Sequence, residues 1–569
     1  QRLAQLPDRS RLVLGTAAVA GRSFDVLVVG RAAGVDGEQV AEAVESALML
    51  GLIGELDPGR FRFSHALVRD AIYHGLPAPT RARAHAGVAV ALEHRYAGAL
   101  SSHVAELAEH YRLAGPVHAR SAWVFARRAG LAAAGRSAHD EAFRLLAEAE
   151  ELQGLDPLVT SQEREGVLLA QAVALIRLGR PIEAWPPVAR AAAAALARDD
   201  VIAAADALLT ITTGLWGWRN AGDWDDDAVA LWEEVLARLP AGHAAIRAHL
   251  QVSLAVELLY RPGSAARTTA LADEAVQAVR RSGTHDDVRF HVLRLAVQAL
   301  LRPDLLHHRA PILDELIGLA VARDDVAALI GALTSRASDR TELGRLDDAH
   351  ADLLRADDLA RRHQLPAALM ITGWCRVTWQ QLKGDLDAAE AAIAELEAFQ
   401  ATLAMAGEGI ALCQLSVLRL LQGRLPELLP ALQAVVEHFP PFREVLGLAL
   451  IRAGRADEAR RMLGAWSEQP PLPWTYLWPT FVAFRAYTWI ALGDAGAVRD
   501  LRAQLSPYAG RLAGTMPVAV LGSTDLVLGE LAAADGDPIA AREHLDRARR
   551  TCAELGLPLW LARTEQAAG

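Results

Sequence analysis

Few residues in this chain have types and spacings that could do chemistry. His65 and Arg69 stand one turn apart at the start of an expected helix. Unpaired backbone N–H groups and the positive end of the helix dipole favour an anion there, with His65 the stronger candidate. The alternative is that His65 packs under the preceding hairpin and bonds a backbone carbonyl. His103, Glu106 and His110 share one helical face, but no fourth ligand is evident and no metal site is expected. His307-His308 is weaker still. Gly15 to Ser23 imitates a phosphate-binding loop. It has five residues between its glycines, and Arg22 where lysine is required, so it is not one. No Gly-x-Ser-x-Gly elbow and no Ser/His/Asp or Cys/His set can be argued from spacing, and no catalytic residue is expected. Two tryptophan groups remain. Trp216, Trp218, Trp224 and Trp232 gather round one turn, while Trp466, Trp474, Trp478 and Trp489 lie beside Pro470, Pro471, Pro473 and Pro479. On a concave face, Trp216, Trp218, Trp224, Trp474 and Trp478 would bind a ligand; packing between irregular hairpins is the simpler alternative.

The elements that must position these residues are set by a repeat. A glycine, then Arg or Asp, then an alanine five residues after the glycine recurs at Gly179, Gly344, Gly384, Gly454 and Gly536. Looser copies start at Gly135, Gly222, Gly263, Gly423 and Gly493, and Arg302-Pro303-Asp304 fills the one gap. Successive turns lie mostly 39 to 44 residues apart, with one interval of 31. After Gly384 the apolar positions are Leu386, Ala389, Ile393, Leu396 and Phe399, in steps that share one helical face. The glycine ends one helix in a left-handed conformation, and the alanine lets the next approach closely. Each unit is then a helical hairpin whose apolar stripe is covered only when neighbours stack. The pattern resembles the tetratricopeptide repeat, with its second small residue seven positions on at Ala356 after Ala349 and Ala548 after Ala541. About eleven such hairpins are expected over 119–569, after connecting helices at 81–118.

Residues 1–80 read differently. Leu6 to Ala20, Phe24 to Ala33 and Asp36 to Leu50 predict three helices. Leu52 to Leu56, a turn at Asp57-Pro58-Gly59 and Arg60 to Phe63 predict a β-hairpin. A further helix is expected from His65, capped by Ser64. Three helices and a hairpin make a winged-helix-like domain, so the expected fold is mainly α: that domain followed by a TPR-like α-solenoid superhelix. The third helix carries Asp36, Glu38, Glu42 and Glu45 and no Arg or Lys, which opposes a DNA-reading role. So does a formal net charge of −11.

The three cysteines lie far apart, which suits a reducing cytoplasm, and no charge-free apolar run is long enough to span a membrane. The chain opens Gln1-Arg2-Leu3 with neither Met nor a signal-peptide pattern, and reads as part of something longer.

Phe61 to Tyr73, Phe-Arg-Phe-Ser-His-Ala-Leu-Val-Arg-Asp-Ala-Ile-Tyr, resembles the segment closing the winged-helix domain of the STAND signal-transduction ATPases. The likeness is to the large ATP-binding LuxR-type regulators and their relatives with SARP or nucleotide-cyclase domains. The wider motif is Met-His-Asp followed by Leu-Val-Arg. Here Ser64-His65-Ala66-Leu67-Val68-Arg69 keeps the His and the Leu-Val-Arg and replaces Asp with Ala. The resemblance implies that His65, and less strongly Arg69, senses the phosphate of ADP held by an upstream nucleotide-binding domain absent here. It implies ATP or ADP as cofactor of the parent protein and none in this segment. Leu557 to Arg563 resembles the stretch preceding the DNA-binding domain of the LuxR-type relatives. The expectation is a cytoplasmic, non-enzymatic sensing segment of a transcriptional regulator. Its solenoid would take a small-molecule inducer or a protein, without direct DNA or membrane contact, and the resemblance implies oligomerisation on activation. The competing readings are the regulatory arm of a nucleotide cyclase or kinase, and a plain TPR scaffold.

Overall fold

The computed structural model describes residues 6–214, 217–219, 222–281, 286–403 and 408–569, and these carry 29 α-helices and five short strands. The chain divides into two compact units, Gln1–Leu178 with Glu183–Ile211, and Gly179–Ile182 with Thr212–Gly569. Among the described residues no helix is long and apolar enough to cross a membrane.

The first unit opens with α1 (Asp8–Ala20), β1 (Ser23–Asp25), α2 (Val26–Ala33), α3 (Gly37–Met49), β2 (Ile53–Asp57), β3 (Arg60–Phe63) and α4 (Ala66–Gly75). Capping chemistry sets two helix starts: Asp25 accepts from the Leu27 amide at 2.8 Å, and Asp36 from the Gln39 amide at 2.9 Å. Val13, Leu14, Ala17 and Ala18 of α1, Val29 of α2 and Val40, Ala43, Val44 and Ala47 of α3 close a core over Phe61 and Phe63. The expected three helices and hairpin are present, with one addition. Phe24 was expected in a helix, but it pairs with Phe61 in a third strand, giving the antiparallel order β1-β3-β2. The Asp25 cap delays α2 until Val26. The expected cap of α4 is also corrected. Ser64 spends its hydroxyl on the Gly51 carbonyl at 2.9 Å, and His65 takes the N-cap position with extended backbone and no side-chain cap bond.

Helices α5 (Ala78–Arg95) and α6 (Val104–Leu113) lead into helical hairpins, the first being Ala119–Gly135 with His139–Gln153. The repeat takes the conformation its phrase demands. Gly179, Gly344, Gly384, Gly454 and Gly536 all have φ between 73° and 87°. The alanine five residues on is fully buried at Ala184, Ala349, Ala389 and Ala459. A second spacing repeats beside it. Gly130, Gly447 and Gly529 each face a leucine of the paired helix, Leu146, Leu463 and Leu545, so closely that a β-carbon would sit 2.6 to 2.9 Å from its side chain. Small against large is how these hairpins interlock.

The second unit holds an element the sequence reading missed. Between helical hairpins, β4 (Leu512–Thr515) and β5 (Ala519–Ser523) form an antiparallel pair in which every residue is buried. Helices from distant repeats supply its polar partners. Gln414 donates to the Pro517 carbonyl at 2.8 Å and Thr480 to the Ala519 carbonyl at 2.8 Å; Ser338 meets Thr515 through their hydroxyls. Arg511, at its entry, donates to the Pro303 carbonyl at 2.6 Å and to Glu342 at 3.1 Å. Leu512, Met516, Val518, Val520 and Leu521 are each at most 2% exposed. At about 1.5–3 kcal/mol per side chain, an upper estimate of roughly 7–15 kcal/mol makes this pair part of the core and not a removable plug.

Candidate functional site

His65 and Arg69 begin the same helix but meet different surroundings. The His65 side chain is exposed at the N-terminus of α4. Arg69 is tied down: its Nε donates to the Ala18 carbonyl at 2.8 Å, its Nη1 pairs with Asp70 at 3.0 Å, and its guanidinium lies over the Tyr73 ring at 4.6 Å. The Ser64 amide donates to the Leu52 carbonyl at 3.0 Å, drawing the end of α3 towards the start of α4. Met49 and Leu67, 82% and 81% exposed, stand on these two segments.

The histidines at 103 and 110 do not converge. His103 bonds Glu106 at 3.0 Å and stacks on Tyr96, while His110 points inward to His85, Nδ1 to Nδ1 at 2.9 Å. The Tyr73 hydroxyl completes that buried chain, 3.0 Å from Nε2 of His85. Burial, with His110 alongside, lowers the His85 pKa to about 4. Among the described residues no group of three or more His, Cys, Asp or Glu side chains is arranged to hold a metal.

Of the first tryptophan group, Trp216 lies outside the described residues. Of the two readings of Trp218, a ligand-binding face or packing between irregular hairpins, the structure corrects the first and has the second, burying the ring to 1% exposure. Its indole N–H donates to Glu257 at 2.6 Å, beside the Arg219 Nε bond to the same carboxylate at 2.7 Å. Burial holds Glu257 above the ordinary carboxylate range against the pull of Arg219. With its N–H satisfied inside the core, Trp218 offers no face to a ligand. Trp224 is 48% exposed.

The second group makes a site. A cleft of about 610 Å³ opens between the segment 466–474 and the turn Ser506–Tyr508, its floor formed by the helix Trp478–Leu492. Trp474 meets Trp478 edge-on at 4.6 Å, and Tyr508 lies 5.3 Å from Trp478 and 6.1 Å from Trp474. Trp466 forms a further wall, its Nε1 held by Asp500 at 2.7 Å. Arg485, 7% exposed, reaches the floor with Nε on Glu444 at 2.7 Å and Nη1 on the Pro470 carbonyl at 3.1 Å. Burial raises Glu444 above the ordinary carboxylate range. Trp474 and Trp478 are thus brought together. Arg485 and Tyr508 were missed, although a lone charge inside the apolar run Trp478–Leu492 was a legible signal. A smaller cleft of about 330 Å³ in the first unit is lined mainly by aliphatic side chains, with His139 and Arg177 among them.

Neither a family model nor a curated protein matches the chain. Among solved structures it is similar to a Signal Transduction ATPase with Numerous Domains (STAND) protein with a tetratricopeptide repeat sensor from Pyrococcus horikoshii. The identity is 12%, the TM-score 0.33, and the match covers 69% of this chain and 63% of that one. It is also similar to a circular tandem repeat protein with novel repeat topology, at 14% identity and a TM-score of 0.13, covering 98% and 95%. The chain therefore spans less than two thirds of the STAND protein it matches. Superposition at these levels identifies neither a site nor a partner. The chain has a helical-repeat fold of consecutively packed hairpins.

Proposed function

We propose that this chain is the signal-sensing and autoregulatory segment of an ATP-dependent transcriptional regulator. Its helical repeats take up an inducer, and the first domain couples that event to a nucleotide-binding domain elsewhere in the parent protein. The observation that carries this reading is the open face round His65. An unbonded imidazole at a helix N-terminus, with Met49 and Leu67 more than four-fifths exposed on the neighbouring segments, is a surface suited to a partner domain that presents a phosphate. Arg69, bound to α1, acts in this reading by fixing α4 and not by touching the nucleotide. The outer face of α3 carries the exposed carboxylates Asp36, Glu38, Glu42 and Glu45, which supports protein contact over DNA contact for this domain. The segment itself has no catalytic part.

The test is ADP affinity of the full-length parent. Loss of one charge-assisted hydrogen bond to phosphate, in His65→Ala, is expected to weaken ADP roughly tenfold or more while Arg69→Lys leaves it within about threefold. Equal ADP affinity in wild type and His65→Ala would remove the nucleotide-linked switch and leave a repeat scaffold.

A further inference from the structure

The aromatic cleft of the second unit has a single charged side chain in its lining, Arg485. Arg485 uses Nε and Nη1 on its own chain, and Nη2 has no partner among the described residues. The indole N–H groups of Trp474 and Trp478, which also line the cleft, likewise have no acceptor among them. No Asp or Glu lines the cleft: Glu444 approaches Arg485 at the Nε edge, and Asp500 is taken by Trp466. What the cleft lacks is a carboxylate, its side-chain acceptors being the neutral oxygens of Gln469, Gln504 and Tyr508, and what it offers in excess is ring surface, from Trp466, Trp474, Trp478 and Tyr508. Its volume lies within the range of small-molecule sites.

We propose that this cleft binds a small planar aromatic acid, with its ring packed against Trp474 and Tyr508 and its carboxylate on Nη2 of Arg485. This rests on the reading of the repeats as a sensor and names the chemistry of what they sense. A planar ring gains from the tilted indoles an edge-to-face or offset contact that an aliphatic body does not. A guanidinium 7% exposed in the floor is reached by a small terminal group, whereas a proline-rich peptide lying across the aromatic rim would not reach it. Glu444 occupies the Nε side of the guanidinium, and the N–H of Nη2 that points away from it, along the end shared with Nη1, is the one left to the ligand.

The experiment is calorimetric titration of the chain with 2-naphthoate, a 13-heavy-atom probe for which this arrangement predicts a Kd of roughly 10 µM to 1 mM. Two analogues separate the contributions. Cyclohexanecarboxylate lacks the planar ring, and naphthalen-2-ylmethylammonium turns the head group cationic; each is expected to bind at least about tenfold more weakly. Trp474→Ala and Tyr508→Ala, at half-buried positions, are each expected to weaken 2-naphthoate about tenfold, and Trp224→Ala to leave it unchanged. The proposal is overturned by no binding of 2-naphthoate at millimolar concentration, by equal affinity for the ammonium analogue, or by unchanged affinity in Trp474→Ala. Displacement of the probe by deca-proline at similar concentration would assign the cleft to peptides instead. No nucleotide enters this titration, so its outcome and that of the ADP test stand separately.

Discussion

Replacing Gly514 by alanine tests whether the buried strand pair is structural. Gly514 has φ of 144°, where an L side chain is strained. A β-carbon there would overlap the Ala519 carbonyl oxygen and lie 2.7 Å from the Val520 α-carbon. Both are backbone atoms of the paired strand, and neither can rotate away. The strands must part by about an ångström, breaking the Gly514–Val520 pairing and loosening side chains worth roughly 7–15 kcal/mol of burial. Losing a third of that, with the backbone strain, gives an expected cost of about 3–8 kcal/mol. The control is Gly454→Ala, with φ of 77° and nothing within 4 Å of the added carbon, expected to cost about 1 kcal/mol. Urea unfolding followed by circular dichroism measures both, and hydrogen exchange of residues 512–523 locates the effect. If Gly514→Ala matches Gly454→Ala in midpoint, and the amides of 512–523 stay protected, the pair does not stabilise the unit as argued.

Two further outcomes follow from buried polar groups. His85 loses its proton in the folded chain down to about pH 4, against roughly 6.5 when unfolded, because burial, His110, Arg69 and Arg81 oppose its charge more than Glu109 favours it. The fold then binds fewer protons than the unfolded chain. This contribution is complete above about pH 6.5 and declines as pH falls towards 4, by at most about 3 kcal/mol and less where solvent screens the pair. Urea midpoints at pH 7.5 and 5 should show it, and His85→Gln should flatten the difference; an unaltered slope in that variant contradicts the assignment. Arg309→Leu would strand Asp339, 5% exposed, without the guanidinium whose Nε it holds at 3.1 Å. The expected cost is about 3–5 kcal/mol in thermal unfolding, much of it recovered in the double variant with Asp339→Leu.

The repeat was legible because it is written in local chemistry: a left-handed turn at Gly384 demands glycine, and close helix approach at Ala389 demands a small residue. The strand pair was not, for a physical reason. Both faces of β4 and β5 are covered, so Leu512 to Leu521 shows no alternation, and a short apolar run suits a buried helix as well as a buried strand. Gly510, Gly514, Pro517 and Gly522 were the available warning. Trp218 and Trp474 cannot be told apart by residue type. What separates them is Glu257, 39 residues away in sequence, which gives one indole an acceptor in the core and leaves the other none. The cap of α4 slipped by one residue because Ser64 found a longer-range acceptor in Gly51.

The helix Trp478–Leu492 joins the two features that the sequence did not connect. It is apolar on every side, as a fully buried helix must be, and three of its polar side chains tie it to its surroundings. Thr480 holds the strand pair through the Ala519 carbonyl, and Thr488 holds the preceding repeat through the Glu444 carbonyl at 2.8 Å. Arg485 holds the wall of the cleft through Pro470. The floor of the cleft is therefore fixed by the same core that encloses β4 and β5, and the part left to respond is the wall 466–474. A ligand can shift that wall only by binding one of its positions more tightly than another. The proposed ligand meets that condition through Trp474, which belongs to the wall, while its carboxylate lies on Arg485 of the floor, so that its full set of contacts exists only with the wall where Pro470 bonds Arg485.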